Sequence, residues 1–128
     1  MGLMGQTFIN RETGIEPDIA EGVTIAGLID CIHKVTIEKD VFTGHDVFLL
    51  TGGHDYTKFG EERKKRGRGG PITIREGVWI ASRAIIIGPC EIGKHSVIGA
   101  GSVVSKDIPA YQIWAGNPVQ FIKEIPHD

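Results

Sequence analysis

Leucine is nearly missing from this sequence: four residues of 128, against twenty-eight isoleucines and valines. Leucine keeps most of its rotamer freedom in a helix, whereas β-branched side chains lose theirs, so a helical core is excluded. Cysteine is down to two, Cys31 and Cys90, fifty-nine positions apart. That excludes a disulfide framework and fits reduced thiols in the cytoplasm. No apolar run reaches the ~18–20 residues of a membrane helix. The opening stretch MGLMGQTFIN lacks the basic segment and long apolar core of a secretory leader. Charge of one sign is also lacking, since fourteen Lys and Arg stand against sixteen Asp and Glu for a net −2. Bulk charge therefore does not recruit nucleic acid, and there is no base-reading motif with interleaved aromatics.

What remains is rich in two things. Glycine contributes 18 residues, about twice the ~7% of average usage. Isoleucine and valine suit a pleated, half-buried surface. The chain reads as one all-β domain with many tight corners and a thin core.

A six-residue repeat organises it. Ile74, Ile80, Ile86, Ile92, Ile98 and Val104 form one series; Val78, Ala84, Cys90, Ser96, Ser102 and Ile108 follow four residues behind. Upstream, Ile19, Ile25, Cys31, Ile37, Thr43 and Leu49 form the first series, and Val23, Ile29, Val35, Val41 and Val47 the second. Glycines 22, 44, 77, 93 and 99 often fall between. Neither a helical period of 3.6 nor a plain strand period of two repeats every six residues. Short strands joined by corners do, with three sides making an eighteen-residue triangular coil. Small inward residues are needed where three walls meet, because overfilling a core costs about 1–3 kcal/mol. Stacked coils cover one another's faces. The spacing predicts coils over 19–36, 37–54, 74–91 and 92–109.

Between them, residues 55–71 (DYTKFGEERKKRGRGGP) carry no hexad pattern and read as an external loop inserted at a corner. Its Lys and Arg residues suit either an arm laid on a neighbouring subunit or attraction of a phosphate-rich partner. The tail, residues 110–128, is expected to start extended and to include a short helical turn near its end.

These residues resemble the hexapeptide-repeat acyltransferases, and most closely their galactoside, maltose and polysaccharide O-acetyltransferase branch. The resemblance rests on VTIEKDVFTGHDVFLLTGGHDY (35–56), ITIREGVWIASRAIIIGPCEIGKHSVIGAGSVVSKDIPA (72–110) and AGNPVQFIKEI (115–125). It implies a left-handed parallel β-helix, a homotrimer, and acetyl transfer from acetyl-CoA to a hydroxyl, or sometimes an amine, at sites between two subunits.

The same resemblance assigns residues. His54 matches the catalytic histidine through an ungapped match of residues 35–54. Imidazole is the side chain best suited to act as a base near neutral pH. Trp79 matches a tryptophan flanking the pantetheine arm of CoA. Ser82 matches a position on the same face that contacts the arm. Gly44 and Ala100 match small residues that let the arm approach the backbone. Ser105 and Lys106 match a Thr-Lys pair beside the nucleotide end, and Lys123 a basic residue near the phosphates. Gln120 stands where a close relative has arginine. The family's asparagine, about thirty residues before the histidine, has no counterpart in GVTIAGLIDCI, where Asp30 is the nearest polar candidate for the acceptor. Backbone amides would stabilise the oxyanion.

Other chemistry is weaker. Cys31 and Cys90 fall on inward positions and read as small apolar fillers, so transfer is expected to be direct. His33, His45, His95 and His127 read as surface residues. A three-histidine zinc site on this scaffold needs a pair five residues apart, which the sequence lacks, so no metal is expected. The leading expectation is an O-acetyltransferase acting on a sugar-type acceptor. The alternatives are an N-acetyltransferase acting on a nucleotide-linked amino sugar, and a non-catalytic trimeric scaffold.

Overall fold

The computed structural model describes residues 7–128 and, for the backbone alone, Gly2–Leu3. Much of the stretch read above for a leader lies outside the described residues. The chain winds as a parallel β-solenoid with three flat sides. The first side stacks Gly2–Leu3, Thr24–Ile25, Phe42–Thr43, Trp79–Ile80, Val97–Ile98 and Gln112–Ala115. The second stacks Phe8–Asn10, Gly27–Asp30, Val47–Leu50, Ile85–Ile87 and Val103–Val104. The third stacks Asp18–Ile19, Val35–Ile37, Ile72–Ile74 and Cys90–Ile92.

The core is the hexad series. Ile25, Ile29, Ile37, Leu49, Ile74, Ile80, Ile86, Ile92 and Ile98 are fully buried. On the third side the register runs from hexad position to hexad position: Ile19 pairs with Ile37, Ile37 with Ile74, and Ile74 with Ile92. Polar residues at inward positions are satisfied locally. Ser96 Oγ donates to Gly93 O at 2.7 Å and Ser102 Oγ to Gly99 O at 2.7 Å, each closing its own corner.

One coil breaks the eighteen-residue step. Thr24 pairs with Phe42, eighteen residues on. On the next side, however, Gly27 pairs with Val47 and Ile29 with Leu49, twenty residues on. The hexad spacing instead places Ile29 over Val47 and Cys31 over Leu49. A two-residue slip keeps every inward residue inward, because side chains alternate with period two. Its cause is the corner at Ala26, which is two residues shorter than the corner after Thr43. Gly27 makes that corner possible. Its φ is +143°, and a Cβ there would lie 1.9 Å from the Val47 carbonyl oxygen.

The insertion is a β-hairpin, not a structureless loop. Gly52–His54 pairs antiparallel with Arg66–Gly69, and a four-residue helix, Glu61–Lys64, lies between them. The tail is also a hairpin: Gln112–Ala115 continues the first side and Gln120–Glu124 folds back along it antiparallel. The helical turn expected near the end is absent among the described residues, since residues 120–124 pair as a strand. Phe121 packs edge-on against Trp114 at 5.8 Å. No helix is long and apolar enough to cross a membrane among the described residues.

Candidate active site

The hairpin leaves the prism at the edge between the second and third sides, and a cavity of about 640 Å³ opens beneath it. The floor comes from the second side, through Asp30 and Leu50; the walls come from Gly52, His54, Lys65 and Arg66 of the hairpin, with Glu12 opposite. The structure thus brings together two residues singled out from sequence, His54 and Asp30.

His54 ends its strand and is exposed. Its Nδ1 lies 3.1 Å from the carbonyl oxygen of Lys65, the residue between the short helix and the facing strand. A carbonyl can only accept, so Nδ1 carries the hydrogen and donates it. In the neutral ring the lone pair then sits on Nε2.

Asp30 owes its place to the slip described above. With an eighteen-residue step it would face Phe48 in mid-strand; with twenty it pairs with Leu50, at the end of the side where the hairpin begins. Its backbone carbonyl accepts a 2.5 Å hydrogen bond from Thr51 Oγ1, which in turn accepts from His33 N. Its side chain is held by Asn10, the residue next to it on the preceding coil, whose Nδ2 donates to Asp30 Oδ1 at 2.5 Å. Glu12 and Arg66 form an ion pair that ties the N-terminal segment to the hairpin beside the cavity. Asn10 and Glu12 escaped the reading of the sequence, and Arg66 was read only as one of the basic residues of the inserted loop. The only signal for Asn10 was a polar residue ending a short apolar strand, at a place where the six-residue step fails.

The residues assigned to CoA lie elsewhere. Gly44 and Ser82 meet at the edge between the first and second sides. A Cβ on Gly44 would sit 2.2 Å from Ser82 Oγ, and the His45 amide donates to that oxygen at 3.0 Å. Gly101 N–H donates to the Ser82 carbonyl at 2.9 Å, which puts Ala100 at the same corner one coil on. Trp79 lies on the adjoining side, 44% exposed, stacked on Phe42 at 5.9 Å. Lys106 is separate from this column: its Nζ lies 5.0 Å above the Trp114 ring at the end of the prism. Ser105 precedes it, exposed. Lys123 and Gln120 sit on the outermost strand, opposite Ile113 and Ala115.

The sequence-family model described as Bacterial transferase hexapeptide (six repeats) matches residues 71–106. The galactoside O-acetyltransferase of Escherichia coli K12 is 42% identical over 95 residues, covering 73% of this chain and 45% of that protein. A solved galactoside acetyltransferase in complex with coenzyme A superimposes with a TM-score of 0.80 at 33% identity, covering 98% of this chain and 64% of the other. Residues 71–106 thus carry the hexapeptide repeat of the bacterial transferases. A maltose O-acetyltransferase from Clostridium difficile 630 follows, with a TM-score of 0.69 at 29% identity over 95% of this chain and 68% of that one. The chain spans under half the length of the curated relatives it matches, 31–46%. The fold is the left-handed parallel β-helix of the hexapeptide-repeat transferases.

Within this hexapeptide-repeat protein the remaining reactive groups are quiet. Burial pushes the Cys31 thiol up, and burial together with nearby Asp107 pushes Cys90 up to about 12. Both remain thiols near neutral pH, and a thiol is a poor nucleophile. His95 lies 3.9 Å from a Glu76 oxygen and its ring tilts against Tyr111, which stacks on His127 at 3.7 Å. No group of three or more His, Cys, Asp or Glu side chains is placed to hold a metal ion among the described residues.

Proposed function

We propose that this protein is a homotrimeric acetyltransferase that moves an acetyl group from acetyl-CoA to a hydroxyl of a sugar-type acceptor, with His54 as general base. The observation that carries the reading is His54 at the cavity wall, its Nδ1 occupied by the Lys65 carbonyl. Nε2 takes the acceptor's hydroxyl proton, holds it as imidazolium and gives it up to the sulfur that leaves. The carbonyl keeps the ring in one tautomer throughout.

Acetyl-CoA is a substrate here, and it brings the acetyl group as a thioester. The edge formed by Gly44, Ser82 and Ala100 suits its extended pantetheine arm, because nothing larger than a hydroxymethyl group projects from those positions. Trp79 would flank the arm with an exposed apolar face. Ser105, Lys106 and Lys123 would supply polar and cationic contacts toward the nucleotide end.

These two half-sites occupy different edges of one prism. A threefold ring of copies, in which unlike patches meet and close, would set the His54 edge of one subunit against the Gly44 edge of the next. That is the support for a trimer. A cytoplasmic setting fits the two free cysteines. Oxygen acylation is favoured over nitrogen because galactoside O-acetyltransferase is 42% identical to this chain.

The test offers acetyl-CoA with methyl hexopyranosides and, separately, with amino sugars, and follows acetylated product by mass spectrometry and CoA binding by thermal shift. The reading predicts an acetyl ester on a hexopyranoside. It also predicts a rise in melting temperature with CoA, since ligand at ~100 times its dissociation constant stabilises by about 2.7 kcal/mol. Acetyl amide alone would move the reading to nitrogen. No shift and no product would reduce the protein to a scaffold.

A further inference from the structure

Resting on the acetyl-transfer reading above, we propose that Glu12 and Arg66 are positioning residues for His54: their ion pair holds the hairpin so that the Lys65 carbonyl stays on Nδ1. The register makes the link short. Arg66 is the Cα partner of His54 across the hairpin. The oxygen that accepts from Nδ1 belongs to the peptide joining Lys65 to Arg66. Holding Arg66 therefore holds that oxygen. Little else does. Gly52, Gly53 and Gly69 make up the inner end of the ladder, and its register shifts between Arg66 and Arg68. Glycine-rich strands specify their pairing weakly. The hairpin's other side-chain ion pairs and hydrogen bonds, among the described residues, stay within it: Arg68 with Asp55, Lys64 with Glu61, Lys65 with Glu62, Arg63 with the main-chain oxygens of Tyr56 and Lys58. The bond from Arg66 to Glu12 crosses to the body of the prism.

Glu12 is itself held in place to receive Arg66. It sits in a turn closed by the Gly14 N–H, which donates to Arg11 O at 2.8 Å. The turn is pinned on both flanks. On one, Asn10 pairs with Asp30, and its Oδ1 accepts from Glu12 N at 3.2 Å. On the other, Thr13 Oγ1 donates to Cys31 O at 3.0 Å. The neighbouring cation does not compete, because Arg11 Nε donates to Glu16 Oε2 at 2.7 Å. The Glu12–Arg66 pair is about half-exposed, so it supplies a few-fold preference and not a lock. A preference is enough to bias a tautomer. With the carbonyl withdrawn, the ring hydrogen is no longer kept on Nδ1, and the form with hydrogen on Nε2 becomes populated. That form cannot take a proton at Nε2. The loss falls on the chemical step, because the groove assigned to CoA lies on another edge. Glu12 and Arg66 act through Lys65 and His54.

The experiment uses the full chain, saturating acetyl-CoA and the best acceptor among a panel of methyl hexopyranosides. Glu12→Gln keeps the shape and removes the charge. The expected result is a kcat lower by roughly three- to fivefold, the reach of one exposed ion pair, with KM for acetyl-CoA and melting temperature unchanged. Added salt should narrow the gap between wild type and variant, because it screens an exposed pair. The reversed pair, Glu12→Arg with Arg66→Glu, should recover most of what either reversal alone loses. In a His54→Ala background Glu12→Gln should change nothing further. Nitrogen NMR of the imidazole reads the tautomer without turnover. It should show hydrogen on Nδ1 in wild type and in the reversed pair, with the Nε2–H form appearing in Glu12→Gln. A kcat or a tautomer indistinguishable from wild type in Glu12→Gln, no recovery in the reversed pair, or a further loss in the His54→Ala background would overturn the inference while leaving the acetyl-transfer reading intact. Wild-type turnover in His54→Ala would overturn the base on which both rest. A wild type that acetylates no hexopyranoside would sink the transfer reading alone, and the NMR comparison would still decide the positioning.

Discussion

His54→Ala is expected to lower kcat by ~10²–10⁴, the usual contribution of a positioned general base. CoA binding, followed by thermal shift, should be retained, because the Gly44, Ser82 and Ala100 edge lies on a different corner of the prism. Folding should also be retained: the ring is exposed, and it contributes one hydrogen bond to the Lys65 carbonyl. His54→Asn separates two roles. An amide can still donate to that carbonyl but cannot take a proton near neutral pH, so it should be as inactive as alanine. Wild-type turnover in either variant would remove His54 from the chemistry. A parallel loss of CoA binding would mean that the histidine shapes the groove and is not a base.

The largest effect on stability is expected at Gly27. Alanine there meets a φ of +143° and a Val47 oxygen 1.9 Å from the new carbon. Backbone strain of about 1–3 kcal/mol adds to overpacking of about 1–3 kcal/mol. A loss of roughly 2–6 kcal/mol would show as a fall in melting temperature of ~10 °C or more in a domain of this size. Gly67→Ala is the matched control. Its φ is ordinary and the nearest atom to its Cβ would be Asp55 Cβ at 3.8 Å, so a change below about 0.5 kcal/mol is expected. Equal melting temperatures for the two variants would mean that the short corner at Ala26 is not held by glycine. The corner matters beyond stability, because the slip it enforces carries Asp30 to the cavity.

The difference between what was legible and what was not has a physical origin at particular residues. The hexad is a covalent spacing, so Ile19, Ile37, Ile74 and Ile92 could be placed over one another before any coordinates existed. Burial at Ala84, Ser96 and Ser102 followed from the same count. The spacing fails wherever a corner changes length. Phe8 pairs with Leu28 and Gly2 with Thr24, twenty and twenty-two residues on. The strands before residue 18 therefore left no six-residue trace, and Asn10 was lost with them. At the other end Val97 pairs with Ile113 after sixteen residues, so neither the tail's extension of the first side nor the return strand over 120–124 left a six-residue trace. The inserted segment hid its hairpin because glycines 52, 53, 67 and 69 carry no side-chain alternation to read. His54 was singled out by the family motif that surrounds it. Asp30 was singled out only as the nearest polar residue, and its place beside the cavity comes from a register slip that no local pattern records.

The central claim is that a working site is assembled from two copies, with the imidazole from one and the CoA groove from the next. Coexpression of His54→Ala with Ala100→Trp tests it directly, since Ala100 is exposed and a bulky side chain there would fill the groove without entering the core. Each variant alone should be inactive. In randomly mixed trimers about one site in four pairs an intact histidine edge with an intact groove edge. Recovery of about a quarter of wild-type activity is the predicted result. Activity no greater than that of the separate variants would contradict it, because each site would then be made by a single chain and carry one defect or the other.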